Sequence, residues 1–422
     1  MAGPTAYFDP ATAGALDPPT RDLVERRIRS LGSAYRLFYA EPVQFVRGSG
    51  TKLYTADGTE YLDAYNNVPS VGHAHPRVAA AIAEQAALLT THTRYLDRAL
   101  VDYAEDLLGE FPARLANVMF TCTGSEANDL ALRIAKAATG GTGVIVTRNA
   151  YHGVTTEIAA ISPSLGGLDS IADWVRVVPA PGDSDDTTGE SNFAANVRAA
   201  IASLTDAGIR PAALIVDTIF ASDGVRPDVP GFADAAAAIH DAGGLFIADE
   251  VQPGFGRLGT GMWGFDRHGL EPDLVSLGKP MGNGHPIAAV VARRELIDAF
   301  GRHARYFNTF GGSTVSIAAA QATLDVLREE ELIDNARIVG DYLLGQLPGI
   351  DGVVEAHGVG LFIGVRVESE AVALRAVNDL KRRHILLGES GLNNDVLKIR
   401  PPLVFDRADA DRLLTSLAAV LS

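Results

Sequence analysis

Cysteine is almost missing from this sequence. Cys122 stands alone in 422 residues, so an intrachain disulfide is impossible and a reducing compartment suits the chain. Its place before Thr123-Gly124, in an apolar run, reads as a core filler and not a nucleophile. Basic residues are also short: 36 Lys and Arg face 52 Asp and Glu, a net charge of −16. That balance argues against nucleic acid and anionic membrane as partners. It leaves room for a small anionic substrate, because a local basic pocket overrides the global field. No apolar run approaches the ~20 residues that span a bilayer. The start, M-A-G-P-T-A-Y-F-D-P, has no basic region followed by an apolar core, so no signal peptide is expected. Internal repeats and long low-complexity tracts are absent too. A cytoplasmic protein is the expectation. Hydrophobic residues, in contrast, make up 47%, enough for a large core. The chain is longer than one core usually serves, so two or three domains are expected.

The most informative stretch runs from Phe246 to Pro286, F-I-A-D-E-V-Q-P-G-F-G-R-L-G to S-L-G-K-P-M-G-N-G-H-P. A short apolar run, Leu245 to Ala248, stops abruptly at Asp249 and Glu250. This is the pattern of a buried parallel strand that delivers an acid to its C-terminal edge, where open α/β sheets place ligands. A second apolar run, Leu274 to Leu277, leads to Lys279 between Gly278 and Pro280. Taken singly, the Asp reads as a helix cap and the Lys as a solvated loop residue. As a pair on successive strand ends they are what a pyridoxal phosphate (PLP) enzyme needs: an amine for a Schiff base with the cofactor aldehyde, and an acid to keep the pyridine nitrogen protonated.

Upstream, residues 1–20 carry four prolines and little periodicity, as in an arm ordered only by packing on something else. Arg21 to Leu31 reads as a helix. From Val43 to Leu62, alternating apolar residues flank Gly48-Gly50 and Asp57-Gly58, which predicts two hairpin turns in a small antiparallel sheet. His73 and His75 form an isolated His-x-His without acidic or Cys partners nearby, and no metal site is expected. Ala79 to Leu89 has helical spacing. Val118 to Thr121 reads as a strand, followed by T-C-T-G-S-E-A-N and an amphipathic run from Asp129 to Ala138. Strand, Gly-Ser turn and helix N-terminus together make an anion site, since free N–H groups and the helix dipole meet there. Asn128 fits a structural hydrogen bond at least as well as a functional one. Val144 to Thr147 and Ala213 to Val216 are further strands, the latter ending in Asp217; Gly231 to Ala242 is a helix. Gly282-x-Gly284 precedes a strand, Ile287 to Ala292, so it is no dinucleotide fingerprint. Phe307 to Thr314 reads F-N-T-F-G-G-S-T and leads into a helix from Val315 to Leu327, capped by Ser313 or Thr314. Helices over Glu330 to Leu347, Ala371 to Arg383 and Asp406 to Leu421, with strands over Leu361 to Val367 and Val396 to Ile399, complete an α+β tail.

In combination these motifs resemble the class III (ω-) aminotransferase family, PLP enzymes of fold type I, from roughly the first hairpin to the C-terminus. The resemblance implies an α/β fold: a large domain (63–309) with a mostly parallel central sheet flanked by helices, and a small α+β domain formed by the arm and hairpins (1–62) with the C-terminal part (310–422). It implies that Asp249 meets the pyridine nitrogen, that Gln252 lies near the cofactor's phenolic oxygen and that Lys279 is the Schiff-base lysine. It further implies that Gly124 and Ser125 hold the cofactor phosphate and that Tyr151 stacks on the ring. Thr309 is the residue expected to reach the cofactor phosphate of a neighbouring subunit, hence a homodimer with shared active sites. The family commonly has Glu at Asp217, and Asn-Pro at Ser313-Thr314.

Many members carry an Arg three residues before a Pro-Pro pair, where it clamps a substrate carboxylate. Here that position is Lys398, in V-L-K-I-R-P-P. Lysine is a poor bidentate clamp but binds phosphate well. The phrases N-N-V near Asn66, T-x-x-R-Y-L at Arg94, G-K-P-M-G-N-G-H-P, F-N-T-F-G-G and L-K-I-x-P-P resemble the ethanolamine-phosphate phospho-lyase branch of the family. That resemblance implies elimination of phosphate and ammonia from O-phosphoethanolamine to give acetaldehyde. Lys398, Arg400 and Arg94 are the candidates for the substrate phosphate, each with a structural role as its alternative. A transaminase moving an amino group from an amine or ω-amino acid to a keto acid is the second reading. A non-catalytic protein of this fold is a third, opposed by the Asp249/Lys279 pair.

Overall fold

A computed structural model describes residues 6–181 and 193–422. Its central feature is a seven-stranded sheet in the spatial order Asn117–Thr121, Ala288–Ala292, Leu274–Leu277, Leu245–Asp249, Pro211–Asp217, Gly143–Thr147, Val175–Val178. Ala288–Ala292 runs antiparallel to both neighbours, and the remaining pairings are parallel. The inner strands are apolar on both faces because helices cover both. Ile215, Phe246, Ile247 and Val275 are all buried. Burying each such side chain contributes roughly 1.5–3 kcal/mol.

Register places the chemistry. Asp217 pairs with Asp249, and Asp249 with Ser276, so two carboxylates end side by side at the C-terminal edge. Lys279 follows the next strand by two residues, at φ +23°, a region that a residue with a β-carbon seldom occupies.

Two smaller sheets stand beside it. The hairpins form Arg47–Ser49, Lys52–Tyr54 and Glu60–Asp63, antiparallel as the turn residues predict, and Ile385–Leu386 adds to them in parallel. The second sheet runs Glu355–Val359, Phe362–Arg366, Val396–Ile399, Gly388–Ser390. The strand Ile385–Leu386 joining the N-terminal hairpins supports, as our proposal, one small α+β unit made of both chain ends. The arm packs on its own chain: the Ala6 N–H donates to Glu389 Oε1 at 2.8 Å, and Phe8 is buried.

The helices that spacing and caps predict are present with modest boundary shifts; Arg98–Leu108, Phe193–Asp206 and Arg294–His303 are helices besides. Ser313, and not Thr314, caps the Thr314–Glu329 helix, accepting from the Ser316 N–H. Asp406 caps Arg407–Leu421. One shift matters. The helix expected from Asp129 starts at Gly124, with Thr123 and Glu126 forming a reciprocal capping box. Gly124 and Ser125 are therefore its first turn and not a turn before it. Cys122 is half-buried, one residue past the strand Asn117–Thr121, and not a core residue; burial and Glu126 push its thiol pKa up.

Candidate active site

Asp249 is 3% exposed and held by three groups. Oδ2 accepts from Asn128 Nδ2 at 2.9 Å and lies 2.7 Å from His152 Nδ1; Oδ1 accepts from the Val251 N–H at 3.1 Å. Asn128 Nδ2 spends its other hydrogen on the His152 carbonyl at 2.8 Å. Asn128 thus fixes both the carboxylate and the backbone of His152, whose ring the carboxylate meets. His152 was not singled out by sequence reasoning; its only signal was its position in the Tyr-His-Gly loop after a parallel strand. Asp217 accepts from the Ile219 and Ala221 N–H groups, and burial and the Asp249 charge push its carboxyl up to about 6.

A cavity of about 90 Å³ opens on Gly124, Ser125, Asn128, Asp217, Asp249 and Lys279. A larger cavity, about 680 Å³, shares Tyr151, Gln252 and Lys279 with it and adds Lys398, Arg400 and Glu389. Lys279 is half-buried. Burial first, and then Arg400, push its amine down to about 8, against the opposing pull of Asp249 and Asp217. Tyr151 presents its ring 5.9 Å from Lys279 Nζ.

Lys398 is 7% exposed, and its amine has no hydrogen-bond or ion-pair partner among the described residues. Burial and Arg400 hold its amine well below the ordinary lysine value. Arg400 donates from Nη1 to Gln252 Oε1. Arg94 and Thr309 lie elsewhere. Both are exposed, and Arg94 sets its guanidinium 3.6 Å above the Phe307 ring. His73 and His75 face separate carboxylates, Asp63 at 2.6 Å and Glu330 at 3.2 Å.

Glycines let the segments around the smaller cavity approach one another closely. A β-carbon on Gly124 would sit 3.0 Å from both methyls of Val251, and one on Gly278 3.3 Å from the Gly124 Cα. Gly153, at φ +134°, has Ser125 Oγ 2.4 Å from where a β-carbon would stand. Gly153→Ala is expected to cost about 1–3 kcal/mol and to displace Ser125. A PLP titration should show weaker uptake; unchanged affinity would mean that this close approach does not shape the phosphate end.

The residues present fit PLP. A helix N-terminus suits its phosphate, a fixed buried acid its ring nitrogen, a desolvated amine its aldehyde and an aromatic face its ring.

The fold and this arrangement define an aminotransferase-type PLP enzyme, and the chain belongs to the class III aminotransferases: the family model "Aminotransferase class-III" matches residues 38–421. PLP is the cofactor of that family. Among its relatives is "Alanine--glyoxylate aminotransferase 2-like" of Drosophila melanogaster, 37% identical over 93% of this chain and 85% of that protein. "Ethanolamine-phosphate phospho-lyase homolog 1" of Caenorhabditis elegans is 34% identical over 98% of this chain and 96% of that protein. A solved phospholyase from Arthrobacter, in complex with phosphoethanolamine, superposes with a TM-score of 0.91 at 42% identity, covering 95% of this chain and 99% of that one.

Proposed function

We propose that the protein is a PLP-dependent phospho-lyase that converts O-phosphoethanolamine to acetaldehyde, ammonia and phosphate. The observation that carries this reading is Lys398: a buried amine without an acid partner, beside Arg400, in the cavity of Lys279. A buried, unpaired cation is costly unless an anion joins it. A phosphate dianion answers that need and suits a lysine. The phospholyase neighbour and the phospho-lyase relative support the same reading.

When bound, PLP supplies an electron sink for the carbanion next to the substrate nitrogen. We assign to Asp249 the proton at the ring nitrogen, with Asn128 and His152 holding the carboxylate in place. Gly124 and Ser125 offer N–H groups to the cofactor phosphate, Tyr151 covers the ring and Gln252 meets the phenolic oxygen. The freed Lys279 amine takes a proton from the carbon next to nitrogen. Lys398 and Arg400 grip the substrate phosphate and stabilise it as the C–O bond breaks and the electron pair leaves with the phosphate oxygen. The two-carbon fragment, freed as an enamine, gains a proton on carbon and adds water to give acetaldehyde and ammonia. Arg94 of this chain lies outside the cavity and takes no part in this assignment.

The same reading includes a homodimer. Thr309 lies on an exposed loop beside a groove of about 360 Å³ lined by Leu100, Val101, Phe120 and Phe307. Leu88, Leu96 and Phe310 are exposed apolar residues as well. In this dimer Thr309 of each protomer serves the partner's cofactor phosphate. No helix among the described residues is long and apolar enough to cross a membrane. A reducing compartment such as the cytoplasm suits the single cysteine.

The deciding experiment is release of phosphate and acetaldehyde from phosphoethanolamine by the PLP-loaded protein without a keto acid. Equal amounts of both over many turnovers are expected. Activity only when an amine donor and pyruvate are supplied would make it a transaminase.

A further inference from the structure

We propose that Arg400 is a positioning residue: it locks the Gln252 side chain with its oxygen turned away and its NH2 turned to the cofactor, joining the phosphate end of the substrate cavity to the cofactor's phenolic oxygen. The inference rests on the reading above in one respect, that Gln252 faces that oxygen. A guanidinium has donors only, so the amide atom that meets Arg400 Nη1 must be Oε1. Asn67 Nδ2 approaches the same oxygen at 3.5 Å. Gln252 is 9% exposed, and its Nε2 makes no hydrogen bond to protein among the described residues. With the oxygen engaged, the free donor belongs to the cavity that Gln252 shares with Asp249 and Lys279.

Arg400 is itself held still. Its guanidinium carbon lies 4.5 Å over the Tyr65 ring, and its backbone N–H donates to the Ala64 carbonyl at 3.0 Å. It stands two residues after Lys398, the spacing that puts two side chains of an extended segment on one face, and both line the larger cavity. The charged groups around this point are Lys398, Lys279 and Arg257 on the cationic side, and Glu389, Asp217, Asp249 and Asp63 on the anionic side. No carboxylate forms an ion pair with Arg400 among the described residues. An anion at the substrate phosphate position therefore acts on the same guanidinium that orients Gln252.

A donor on the phenolic oxygen draws charge from it and so weakens its support for a proton on the Lys279–cofactor linkage. The test is a pH titration of the visible absorbance of PLP-loaded protein for four forms: unaltered, Arg400→Met, Gln252→Met and the double variant. Each single change is expected to raise the apparent pKa of the linkage. In the Gln252→Met background, Arg400→Met is expected to move it by less than half of what it does alone. Equal shifts in both backgrounds would mean that Arg400 acts only as a charge, and would overturn the proposal. So would a Gln252→Met titration that matches the unaltered protein. If Arg400→Met does not hold PLP, Arg400→Lys replaces it in the cycle. That variant keeps the charge and loses the fixed fork, so the proposal requires a raised value that the Gln252→Met background suppresses, and an unraised value refutes it. No substrate is present, so the result is independent of whether the enzyme proves to be a lyase or a transaminase.

Discussion

Lys279→Ala is expected to lose turnover by on the order of 10⁴-fold or more while still taking up PLP weakly. Two functions leave with the amine: the covalent hold on the cofactor and the base that moves the substrate proton. General acid–base catalysis alone is worth roughly 10²–10⁴-fold, and loss of the covalent step adds to it. The phosphate cup we propose at Gly124 and Ser125, the carboxylate of Asp249 and the Tyr151 ring are untouched, so the cofactor should still bind, without the absorbance of its lysine-linked form. The half-buried amine, already pushed down to about 8, is the only lysine besides Lys398 that lines either cavity among the described residues. Turnover within tenfold of the unaltered protein, with phosphate release as the assay, would sink the assignment.

Lys398→Met is expected to move activity and stability in opposite directions. A charge-assisted contact to phosphate is worth roughly 1.5–3 kcal/mol, so kcat/KM for phosphoethanolamine should fall about 10- to 100-fold. Use of an unphosphorylated amine should change far less. Stability should rise, because methionine removes a buried cation that has no acid partner among the described residues. The sign follows from linkage. The amine's folded-state value is depressed, so the unfolded chain binds its proton more tightly and folding is penalised at neutral pH. The penalty fades as pH rises and is gone above about 10.4, the unperturbed lysine value. Melting curves of both proteins at neutral pH and at high pH should therefore converge at high pH. An unchanged phosphoethanolamine rate would remove Lys398 from the site, and a lower melting temperature at neutral pH would mean that its charge is compensated.

Most helices and the inner strands were legible because each carries a local signal. Pro211–Asp217 and Leu245–Asp249 are continuous apolar runs that end in an acid. The helices Gly124–Thr139 and Arg407–Leu421 have periodic apolar faces and capping side chains. Elements without such signals went unread. Val175–Val178 is an edge strand of four residues, Ile385–Leu386 has two, and Gly388–Ser390 opens on a glycine. Such strands exist because a neighbour offers them hydrogen bonds, which leaves no periodicity of their own. The helices Arg98–Leu108, Phe193–Asp206 and Arg294–His303 carry helical spacing too, and the sequence reading omits them.

For the site, the sequence by itself determined that Asp249, Lys279 and the Gly124-Ser125 pair stand at strand or helix termini and that a lysine precedes Pro401-Pro402 inside a strand, because each is readable from its neighbours in the chain. Only the tertiary structure decided that His152 and Asn128 converge on Asp249, and that Arg400 meets Gln252 across 148 positions of sequence. It also decided that Lys398 is buried without an ion-pair partner among the described residues, Asp217 and Glu389 acting on it only from a distance, whereas Arg94 lies outside the cavity over Phe307. These are contacts between segments far apart in the chain. Local propensity carries no information about them, since they arise only when sheet register and strand order bring the segments to one edge.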